Sequence, residues 1–388
     1  MPPPVHGSPA SGTVIVGMSG GVDSAVAALK LRDDGYAVQG LFMSNWEDDG
    51  YCTAAADFQD ARRVCDILGI ALHRVSFVDE YRQRVFAHFL SEYAANRTPN
   101  PDVLCNREIK FGVCLDYMQR LGASFIATGH YARLRQVGGE THLLKGSDPS
   151  KDQSYFLHAV APSALAKTLF PIGEMRKDEV RRLAHAAGLP VYDKPDSTGI
   201  CFIGERPFRE FLSRYLRTDS GPIETDAGKL VGEHQGLSLY TLGQRSGLHI
   251  GGRAGSATAP WYVADKVPER NALIVVQDPD HPLLTSSRFE VEQVHWLDSA
   301  IEHAAFGECA VKTRYRQSDL PCTLTRLDAS RWQVDLRHGA RAVTPGQYAV
   351  FYRGDRCLGG GIIARRFNLR ADSAPGINYN SQFSAEGS

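Results

Sequence analysis

The sequence lacks the features that mark several specialised classes of protein. It has no run of about 18 apolar residues, so no segment is predicted to span a membrane. Its N-terminus, MPPPVHGSPASG, has no basic region followed by an apolar stretch and does not resemble a signal peptide. The formal net charge is −1, which neither indicates nor excludes a nucleic-acid partner. Such a partner would need a local basic surface.

Cysteine is sparse, and its spacing excludes two further classes. Eight cysteines are spread over 388 residues, and no two of them form a C-x-x-C pair. A zinc site and a disulfide scaffold are therefore not expected, and we predict no structural metal. The chain is long enough for two or three domains. These properties are typical of a cytoplasmic enzyme or binding protein whose thiols are reduced.

The pattern of the sequence changes near residue 210. Residues 13–209 alternate apolar runs such as TVIVGM and AVQGLFM with helical patterns such as Ala54–Leu68, which predicts an α/β domain with a parallel sheet. Residues 210–269 are expected to form a small central domain with a hairpin in GPIETDAGKLVGEH. Residues 270–370 carry recurring β-type runs, from ALIVVQD to AVFYRGDRCLGGGII, which indicate a small antiparallel β-barrel. The polar ends, 1–12 and 371–388, are predicted to be flexible tails.

The strongest local motif is VIVGMSGGVDSAVAAL, residues 14–29. A buried strand leads into Ser19-Gly20-Gly21-Val22-Asp23-Ser24 and then directly into a helix. Adjacent glycines let the backbone approach an anion, and the amides at a helix N-terminus favour negative charge. A tight glycine-rich turn is the alternative. The position of the motif, after the first buried strand and before a helix, favours the phosphate loop. The stretch contains no lysine that could reach a terminal phosphate.

The same stretch resembles the pyrophosphate loop of the ATP pyrophosphatases. Members of that family cleave ATP between its α and β phosphates and leave AMP on an oxygen of the substrate. The resemblance implies that Asp23 holds Mg²⁺ near the departing pyrophosphate. Simple helix capping by Asp23 is the alternative.

Cys105 lies in RTPNPDVLCNREIKF, residues 97–111. Asn100 is a suitable helix N-cap and Pro101 suits the first helical position, so Cys105 is predicted near a helix start. The helix dipole would favour a thiolate there. Burial as a packing residue is the alternative, since an isolated cysteine is usually buried.

Charged neighbours could change the reactivity of Cys105 in either direction. Arg107 and Lys110 are close in sequence and would favour a thiolate. Asp102 would oppose it if it were near the sulfur, or it could carry a proton during a reaction.

A second cysteine with an unusual setting is Cys201, in KPDSTGICFIGERPFREFL. It is flanked by Gly199 and Gly204, so it is expected in an accessible and movable loop. Cys52 and Cys114 are ambiguous, with a structural role favoured. Four cysteines lie on the apolar side of a helical pattern or in strand-like runs and are interpreted as core thiols: Cys65, Cys309, Cys322 and Cys357.

Two cysteines in polar, turn-rich settings and an adenylating loop together indicate sulfur chemistry. Adenylation activates a carbonyl oxygen, and a persulfide can then attack the same carbon and expel AMP. A second thiol would help to release the sulfur, leaving a disulfide or free sulfide.

Further motifs recur along most of the chain. They are SGGVDS, GLFMSNWEDDGYCTAAADFQDARRVC, RTPNPDVLCNREIKF, ATGHYARL, KDQSYFL, DSTGICFIGERPFREFL, GEHQGLSLYTLGQRSGL, VKTRYRQ and TPGQYAVFY. Together these motifs are similar to those of the bacterial tRNA-specific 2-thiouridylase family. The resemblance covers about residues 13–367 and implies a pyrophosphatase domain, a central domain with a tRNA-binding role and a C-terminal β-barrel. It implies ATP-dependent thiolation at C2 of wobble uridine 34 in the tRNAs for Lys, Glu and Gln, with sulfur from a relay protein fed by a cysteine desulfurase.

The resemblance also implies roles for single residues. Cys105 would be the nucleophile, and Cys201 would carry the sulfur as a persulfide. ATP with Mg²⁺ would be bound by Gly17, Met18, Ser19, Gly20, Gly21, Val22, Asp23 and Ser24, with Met43 and Gly129 on the adenosine side. The target base would meet Asn100, Pro101 and Asp102, and the tRNA would be contacted by His130, Lys151, Asp152, Gln153, Arg314, Tyr315 and Gln347.

The residues alone support the tRNA surface only in part. In VKTRYRQ, Arg314 and Arg316 alternate with Tyr315 in a strand-like run, a pattern that can grip phosphates and stack bases. A solvated strand face is the alternative. Three other functions share some of these features: a small-molecule ligase with the same loop, a nucleotide- or RNA-binding scaffold without catalysis, and a 4-thiouridine synthase.

Overall fold

The computed structural model describes residues 12–47, 54–196, 208–250, 259–298 and 308–368, which form three sheets. Within these ranges, no helix is long and apolar enough to cross a membrane. Cys52, Cys201 and the predicted tails lie outside the described residues, apart from Gly12.

The described residues of the N-terminal domain include seven strands. They are β1 Thr13–Gly17, β2 Ala37–Ser44, β3 Leu72–Ser76, β4 Phe125–Ala127, β5 Ala132–Val137, β6 Glu140–Lys145 and β7 Thr168–Leu169. Five of them form a parallel sheet in the order β3-β2-β1-β4-β7. The chain runs outward from β1 to β3 and then returns to place β4 on the other side of β1. The carboxyl ends of β1 and β4 therefore form a topological switch point, where α/β proteins commonly bind ligands.

Helices cover this sheet. Because α1 is rich in alanine and apolar residues, it is buried along most of its length. The α-helices of the described residues are α1 Val22–Asp33, α2 Ala54–Leu68, α3 Val78–Tyr81, α4 Ala87–Ala94, α5 Pro101–Leu104, α6 Cys114–Arg120, α7 Ser154–Leu157, α8 Pro162–Leu165, α9 Lys177–Ala186 and α10 Phe208–Ser213. Two π-helical segments, Arg82–Phe86 and Cys105–Val113, and three short 3₁₀ turns, Leu237–Leu239, Pro268–Arg270 and Pro282–Leu284, complete the helical elements.

The central domain is a four-stranded sheet in the order β10-β11-β8-β9. Its strands are β8 Gly221–Thr225, β9 Leu230–His234, β10 Tyr262–Val267 and β11 Ala272–Val276. The predicted hairpin is confirmed, since β8 and β9 pair antiparallel. The assignment of ALIVVQD to the barrel is wrong: this run forms β11, which pairs parallel with β8. All five residues of β11 are buried, and such a strand suits a sheet interior better than an alternating barrel strand.

The C-terminal strands close into a six-stranded antiparallel barrel. They are β12 Thr285–Trp296, β13 Glu308–Lys312, β14 Leu320–Arg326, β15 Arg331–Arg341, β16 Tyr348–Arg353 and β17 Arg356–Asn368. Pairing of β12 with both β15 and β17 closes the ring. The β5–β6 hairpin of the N-terminal domain extends the barrel sheet, because Leu144 pairs with Arg356 of β17. The predicted combination of a parallel α/β domain, a small central domain and an antiparallel barrel is confirmed.

Candidate active site

The predicted phosphate loop lies between β1 and α1, at the switch point of the sheet. Gly20 has a φ of +75°, and a Cβ atom there would lie 2.3 Å from the carbonyl oxygen of Asp57 in α2. Only glycine tolerates both this conformation and this close approach. Gly21 is the N-cap of α1, so the loop meets the positive end of a 12-residue helix, a suitable place for a phosphate group.

Two serine hydroxyls hold the loop in shape. Ser24 Oγ donates to the carbonyl oxygen of Gly21 at 3.1 Å and accepts from the Ser19 amide at 3.2 Å. The two serine hydroxyl oxygens lie 3.1 Å apart. Ser24 is buried, whereas Ser19 is exposed and can turn toward a ligand.

The residues predicted on the adenosine side lie at the same edge of the sheet. A Cβ atom at Gly129, just after β4, would lie 2.6 Å from the carbonyl carbon of Asp23. The loop after β4 therefore packs directly on the first turn of α1. A Cβ atom at Gly17 would lie 3.7 Å from Met43 Cε, at the end of β2. The fold thus brings Gly17, Met43 and Gly129 together around the start of α1.

Asp23 is bound by a lysine from a distant part of the chain. Lys177, the first residue of α9, donates from Nζ to both carboxylate oxygens of Asp23 at 2.8 Å. The Tyr131 hydroxyl also donates to Asp23, at 2.7 Å, and burial followed by the charge of Asp23 raises the pKa of Tyr131. The helix-capping alternative for Asp23 is wrong, because Gly21 is the cap. The carboxylate offers the oxygen ligands that Mg²⁺ prefers, provided that Lys177 leaves one of them.

Lys177 is shared with a second carboxylate. Its Nζ lies 2.6 Å from Asp196, and Asp196 also accepts a hydrogen bond from Lys151 Nζ at 2.7 Å. Burial alone would raise the pKa of Asp196, but the hydrogen bonds and charges of Lys151 and Lys177 outweigh it and hold the pKa at about 2. Asp196 is therefore ionised at neutral pH.

A further lysine, Lys194, lies behind the phosphate loop. Its Nζ donates to the carbonyl oxygen of Gly20 at 3.0 Å and pairs with Asp57 at 2.7 Å and Asp60 at 2.6 Å. Burial lowers the pKa of Lys194, but the two carboxylates outweigh this and raise it. Lys194 is thus a permanent positive charge against the loop.

Sequence reasoning missed both of these lysines. The loop itself has no lysine, and the fold supplies positive charge from positions more than a hundred residues away. Lys194 stands in the KPDSTG stretch that precedes Cys201, which is a usable signal. Nothing in the sequence around Lys177 marks it.

Cys105 lies in the helix that Asn100 begins, as predicted. Asn100 Oδ1 accepts a hydrogen bond from the Asp102 amide at 3.1 Å, and Pro101 is the first residue of α5. Cys105 begins a π-helical segment and is only 3% exposed. Such segments within helices are frequent at functional sites.

The charged residues close to Cys105 in sequence, Asp102, Arg107 and Lys110, have different surroundings in the structure. Burial raises the pKa of Asp102, and the charge of Lys110 opposes that rise. A carboxyl group that holds its proton closer to neutral pH suits proton transfer. Arg107 forms an ion pair with Glu108 at 2.7 Å.

His130 connects the loop after β4 with the helix of Cys105. Its Nδ1 lies 2.7 Å from Thr128 Oγ1, and its ring packs against both Phe111 and Phe170, with each ring centroid 5.9 Å away. Burial, followed by the charge of Lys110, lowers the pKa of His130 well below its usual value. The imidazole is therefore neutral at pH 7.

The segment before Asn100 is held by the other two domains. Gln347, between β15 and β16 of the barrel, donates from Nε2 to the carbonyl oxygens of Thr98 at 2.7 Å and Pro99 at 3.3 Å. The Thr98 hydroxyl lies 3.3 Å from that of Thr241 in the central domain. Gln347, predicted near the tRNA, thus supports the backbone that leads to the predicted base-contacting residues.

The segment Lys151–Gln153 is fixed by contacts with Tyr131 and with Lys312 of β13. Gln153 exchanges two hydrogen bonds with the Tyr131 backbone, at 2.8 and 3.0 Å. Asp152 is 5% exposed, accepts from two backbone amides and pairs with the buried Lys312 at 3.3 Å. Its carboxylate therefore anchors this segment to the protein interior, while Lys151 and Gln153 are partly exposed.

Arg314 and Tyr315 are not on a strand, contrary to the interpretation of VKTRYRQ. They lie in a turn after β13, because Thr313 donates from its amide and hydroxyl to Gln317 Oε1 at 2.8 and 3.0 Å. The Tyr315 hydroxyl donates to the carbonyl oxygen of Lys151 at 3.4 Å. The Arg314 guanidinium donates to the carbonyl oxygens of Leu242 and Ala342 at 2.9 and 3.0 Å, linking the central domain to the barrel.

The interpretation of the core thiols is confirmed, and Cys114 joins them. Burial raises the pKa of Cys65 to about 11 and, against the charge of Lys110, that of Cys114 to about 12. Burial likewise raises the pKa of Cys357 to about 12. Cys309 and Cys322 face each other across β13 and β14 with their sulfur atoms 3.5 Å apart.

One group of side chains of the described residues has the chemistry of a metal site, away from the phosphate loop. Glu140, His142 and Asp298 each place a ligand atom within 4.8 Å of the others. Asp298 is already paired with Arg356 at 2.6 Å, and Glu140 is exposed.

Family comparisons match all three domains. Residues 12–205 match a family described as a tRNA methyl transferase HUP domain, residues 209–277 a tRNA methyl transferase PRC-barrel domain, and residues 286–363 an aminomethyltransferase β-barrel domain.

Curated proteins named tRNA-specific 2-thiouridylase MnmA resemble the chain over nearly its whole length. The protein from Idiomarina loihiensis is 54% identical over 363 residues, covering 92% of this chain and 98% of that protein. Those from Proteus mirabilis and Yersinia enterocolitica are 55% and 56% identical, covering 91% and 92% of this chain and 97% and 96% of theirs.

Two solved structures share less of the sequence. The U34-tRNA thiolase NcsA from Methanococcus maripaludis, with its [4Fe-4S] cluster, is 18% identical, with a TM-score of 0.30 over 52% of this chain and 64% of that chain. NMN synthetase from Francisella tularensis is 20% identical, with a TM-score of 0.32 over 52% of this chain and 72% of that one. At these values the likeness supports no conclusion about function or cofactor.

Proposed function

The chain belongs to the tRNA-specific 2-thiouridylase family, and from that premise we propose that it thiolates wobble uridine 34 in the tRNAs for Lys, Glu and Gln. As a member of this family it is a tRNA sulfurtransferase that makes 2-thiouridine. The finer steps are proposed from the family resemblance, together with the chemistry of the residues around the phosphate loop. We place the reaction in the cytoplasm, with the sulfur delivered by a relay protein that a cysteine desulfurase charges.

The first proposed step is adenylation. The C2 oxygen of the uridine attacks the α phosphorus of ATP, the bond to the β phosphate breaks, and pyrophosphate leaves. The loop from Gly17 to Ser24 would hold the phosphates. Lys177 and Lys194, each paired with two carboxylates, are cations placed against this loop, and either could turn toward a phosphate. Asp23 would hold Mg²⁺, which neutralises the negative charge of the phosphates.

The second proposed step replaces AMP with sulfur. The terminal sulfur of a persulfide on Cys201 attacks C2 of the adenylated uridine, and AMP leaves with the C2 oxygen. The Cys105 thiolate then attacks the Cys201 sulfur, and the bond between the two persulfide sulfurs breaks with its electron pair going to the sulfur on C2. The products are 2-thiouridine and a disulfide between Cys105 and Cys201, which a thiol reductant must reduce.

Asp102 and the tRNA contacts complete the proposal. Asp102, whose pKa is raised by burial, would carry the proton that moves during the exchange. Asn100 and Pro101 would meet the base, and His130, neutral and packed against Phe111, would lie between the base and the nucleotide. Further tRNA contacts are proposed for the partly exposed Lys151, Gln153 and Tyr315. Asp152, Arg314 and Gln347, whose side chains are bound within the protein, would act by holding the segments that face the tRNA.

One observation carries the proposal above the others. The phosphate loop, Gly129 and Lys177, which is bound to Asp23, meet at one edge of the sheet, and His130 connects that edge to the helix of Cys105. A nucleotide and a second substrate can therefore lie side by side. A scaffold without catalysis would not need two lysines directed at the loop.

Nucleoside mass spectrometry tests the function. The protein is incubated with Mg²⁺-ATP, a persulfide donor and the tRNAs for Lys, Glu and Gln, beside Cys105→Ser, Cys201→Ser and the core control Cys114→Ser. We expect 2-thiouridine from the wild type and from the control, and none from the other two variants. Cys201→Ser should still form adenylated tRNA. ATP-dependent pyrophosphate release without any thiolated nucleoside, retained in both serine variants, would contradict the proposal and favour a small-molecule ligase.

A further inference from the structure

A chain of four alternating charges links the phosphate loop to the segment proposed to bind tRNA. Lys151 Nζ lies 2.7 Å from Asp196, Asp196 lies 2.6 Å from Lys177, and Lys177 Nζ lies 2.8 Å from both oxygens of Asp23. The four side chains come from α1, the segment before α7, α9 and the residues just before the Cys201 loop. They are adjacent only in the folded chain.

Lys177 interacts with both carboxylates of this row of four charges, Asp23 and Asp196. Its side chain is 13% exposed, and its ammonium group faces Asp23, Asp196 and the ring of Tyr131, whose centroid is 5.7 Å away. An ammonium group has three donors, and here they are divided between two carboxylates. If the interaction of Lys177 with one carboxylate becomes stronger, its interaction with the other must therefore become weaker.

The carboxylate of Asp196 is likewise shared between two lysines. One of its oxygens accepts from Lys151 and the other contacts Lys177, with Arg181 at 3.7 Å from the latter oxygen. Lys151 is the more exposed of the two lysines, at 27% against 13% for Lys177, so it is the one that we expect a tRNA phosphate to meet first. If a phosphate takes Lys151, Asp196 loses one of its cations and binds Lys177 more strongly.

We propose that Asp196 couples tRNA binding to ATP activation by controlling where Lys177 points. Without tRNA, Lys177 neutralises Asp23. With a tRNA phosphate on Lys151, Asp196 draws Lys177 away from Asp23, so that the Asp23 carboxylate can serve Mg²⁺-ATP and the ammonium group stays beside the phosphates. The device would keep the enzyme from cleaving ATP when no tRNA is present. This inference rests on the proposed function, since it takes Lys151 as a tRNA contact.

Coupling of this kind is reciprocal and can be measured without turnover. The affinity for tRNA is compared with and without α,β-methylene-ATP and Mg²⁺, because the methylene group blocks cleavage between the α and β phosphates. For the wild type we expect the analogue to tighten tRNA binding by about fivefold or more, the usual lower range of coupling between two sites. In Asp196→Asn the side chain has no charge to attract either lysine. For this variant we expect the ratio of the tRNA affinities with and without the analogue to fall close to one.

Three controls separate coupling from general damage. Asp178→Asn removes an exposed carboxylate from α9 that pairs only with surface arginines, and it should keep the wild-type ratio. Asp196→Glu retains the charge and should restore most of the coupling. Binding of the analogue alone reports whether Asp196→Asn keeps a folded nucleotide site.

The inference is overturned if Asp196→Asn retains the wild-type ratio, or if the wild type shows no coupling. Either result can coexist with normal 2-thiouridine formation by the wild type, measured in parallel. Failure of the inference is therefore distinguishable from failure of the proposed function, in which the wild type would produce no thiolated nucleoside.

Discussion

Gln347 Nε2 lies 2.7 Å from the carbonyl oxygen of Thr98, and this hydrogen bond ties the barrel to the backbone just before Asn100. The neighbouring Gly346 has a φ of +90°, and a Cβ atom there would lie 2.8 Å from the Thr98 amide nitrogen. The Thr98 amide itself donates to the carbonyl oxygen of Pro345 at 3.0 Å. The barrel, far from the phosphate loop in sequence, therefore helps to set the position of the Cys105 helix.

Replacing Gln347 by Glu should impair thiolation without unfolding the chain. The substitution puts a carboxylate where an amide donor faced two carbonyl oxygens, and an unpaired buried carbonyl costs about 1–3 kcal/mol. We expect 2-thiouridine formation to fall about tenfold or more, a factor that corresponds to about 1.4 kcal/mol. Gln136→Glu, on the exposed part of β5, is the matched control and should retain full activity. Equal rates for the two variants would refute a positioning role for Gln347.

Asp23→Asn should abolish adenylation without weakening tRNA binding. The carboxylate lies at the first turn of α1 and is the partner of Lys177, whereas the residues proposed to contact tRNA lie elsewhere. Pyrophosphate release and tRNA affinity would be measured side by side. Asp33→Asn, at the exposed end of the same helix, should change neither. Retained pyrophosphate release with lost tRNA affinity would be the opposite of what we expect.

The core thiols should resist alkylation in the folded protein. Iodoacetamide reacts with thiolates, and burial keeps Cys65, Cys114 and Cys357 protonated, with pKa values of about 11, 12 and 12. Mass spectrometry after brief labelling at pH 8 should find these three cysteines unmodified, and labelling in urea should modify them all. Rapid labelling of Cys114 in the native state would show that the helix containing it opens readily.

Stability should decrease in mild acid, in part because of His158. Burial lowers the pKa of His158 from 6.5 to about 3; its Nδ1 hydrogen bond to the Tyr155 carbonyl opposes the shift, and nearby His295 and Arg107 add to it. Between these two pH values the unfolded chain binds a proton on His158 that the folded chain does not. Stability is therefore lost as the pH falls from 6.5 toward 3, by at most about 1.4 kcal/mol per pH unit for this residue.

The variant His158→Gln isolates this contribution, because a glutamine amide can still donate to a carbonyl but does not titrate. Urea unfolding of both proteins at pH 7 and pH 5 would be compared. We expect the wild type to lose more stability than the variant between these pH values. Identical losses would mean that His158 is protonated in the folded chain.

Local patterns were sufficient for the elements whose structure depends on neighbours in sequence. The bounds of α2 match the prediction Ala54–Leu68, and Asn100 and Pro101 begin a helix as expected, because capping and helical periodicity are short-range effects. The strand–loop–helix of residues 14–29 formed for the same reason. Between Tyr81 and Ala94, by contrast, a π-helical segment, Arg82–Phe86, interrupts the α-helix, and no simple periodicity marks such a segment.

The sequence by itself therefore determined the order of the elements, the phosphate loop and the helix that carries Cys105, along with the family that those motifs identify. Only the tertiary structure decided that Lys177 and Lys194 lie against the phosphate loop, that Asp152 is a buried support, and that Arg314 and Tyr315 lie in a turn. Each of these depends on contacts between residues far apart in the chain. A hydrogen bond or an ion pair is decided by distance in space, and for such residues distance in space is settled only when the sheet, the central domain and the barrel have packed together.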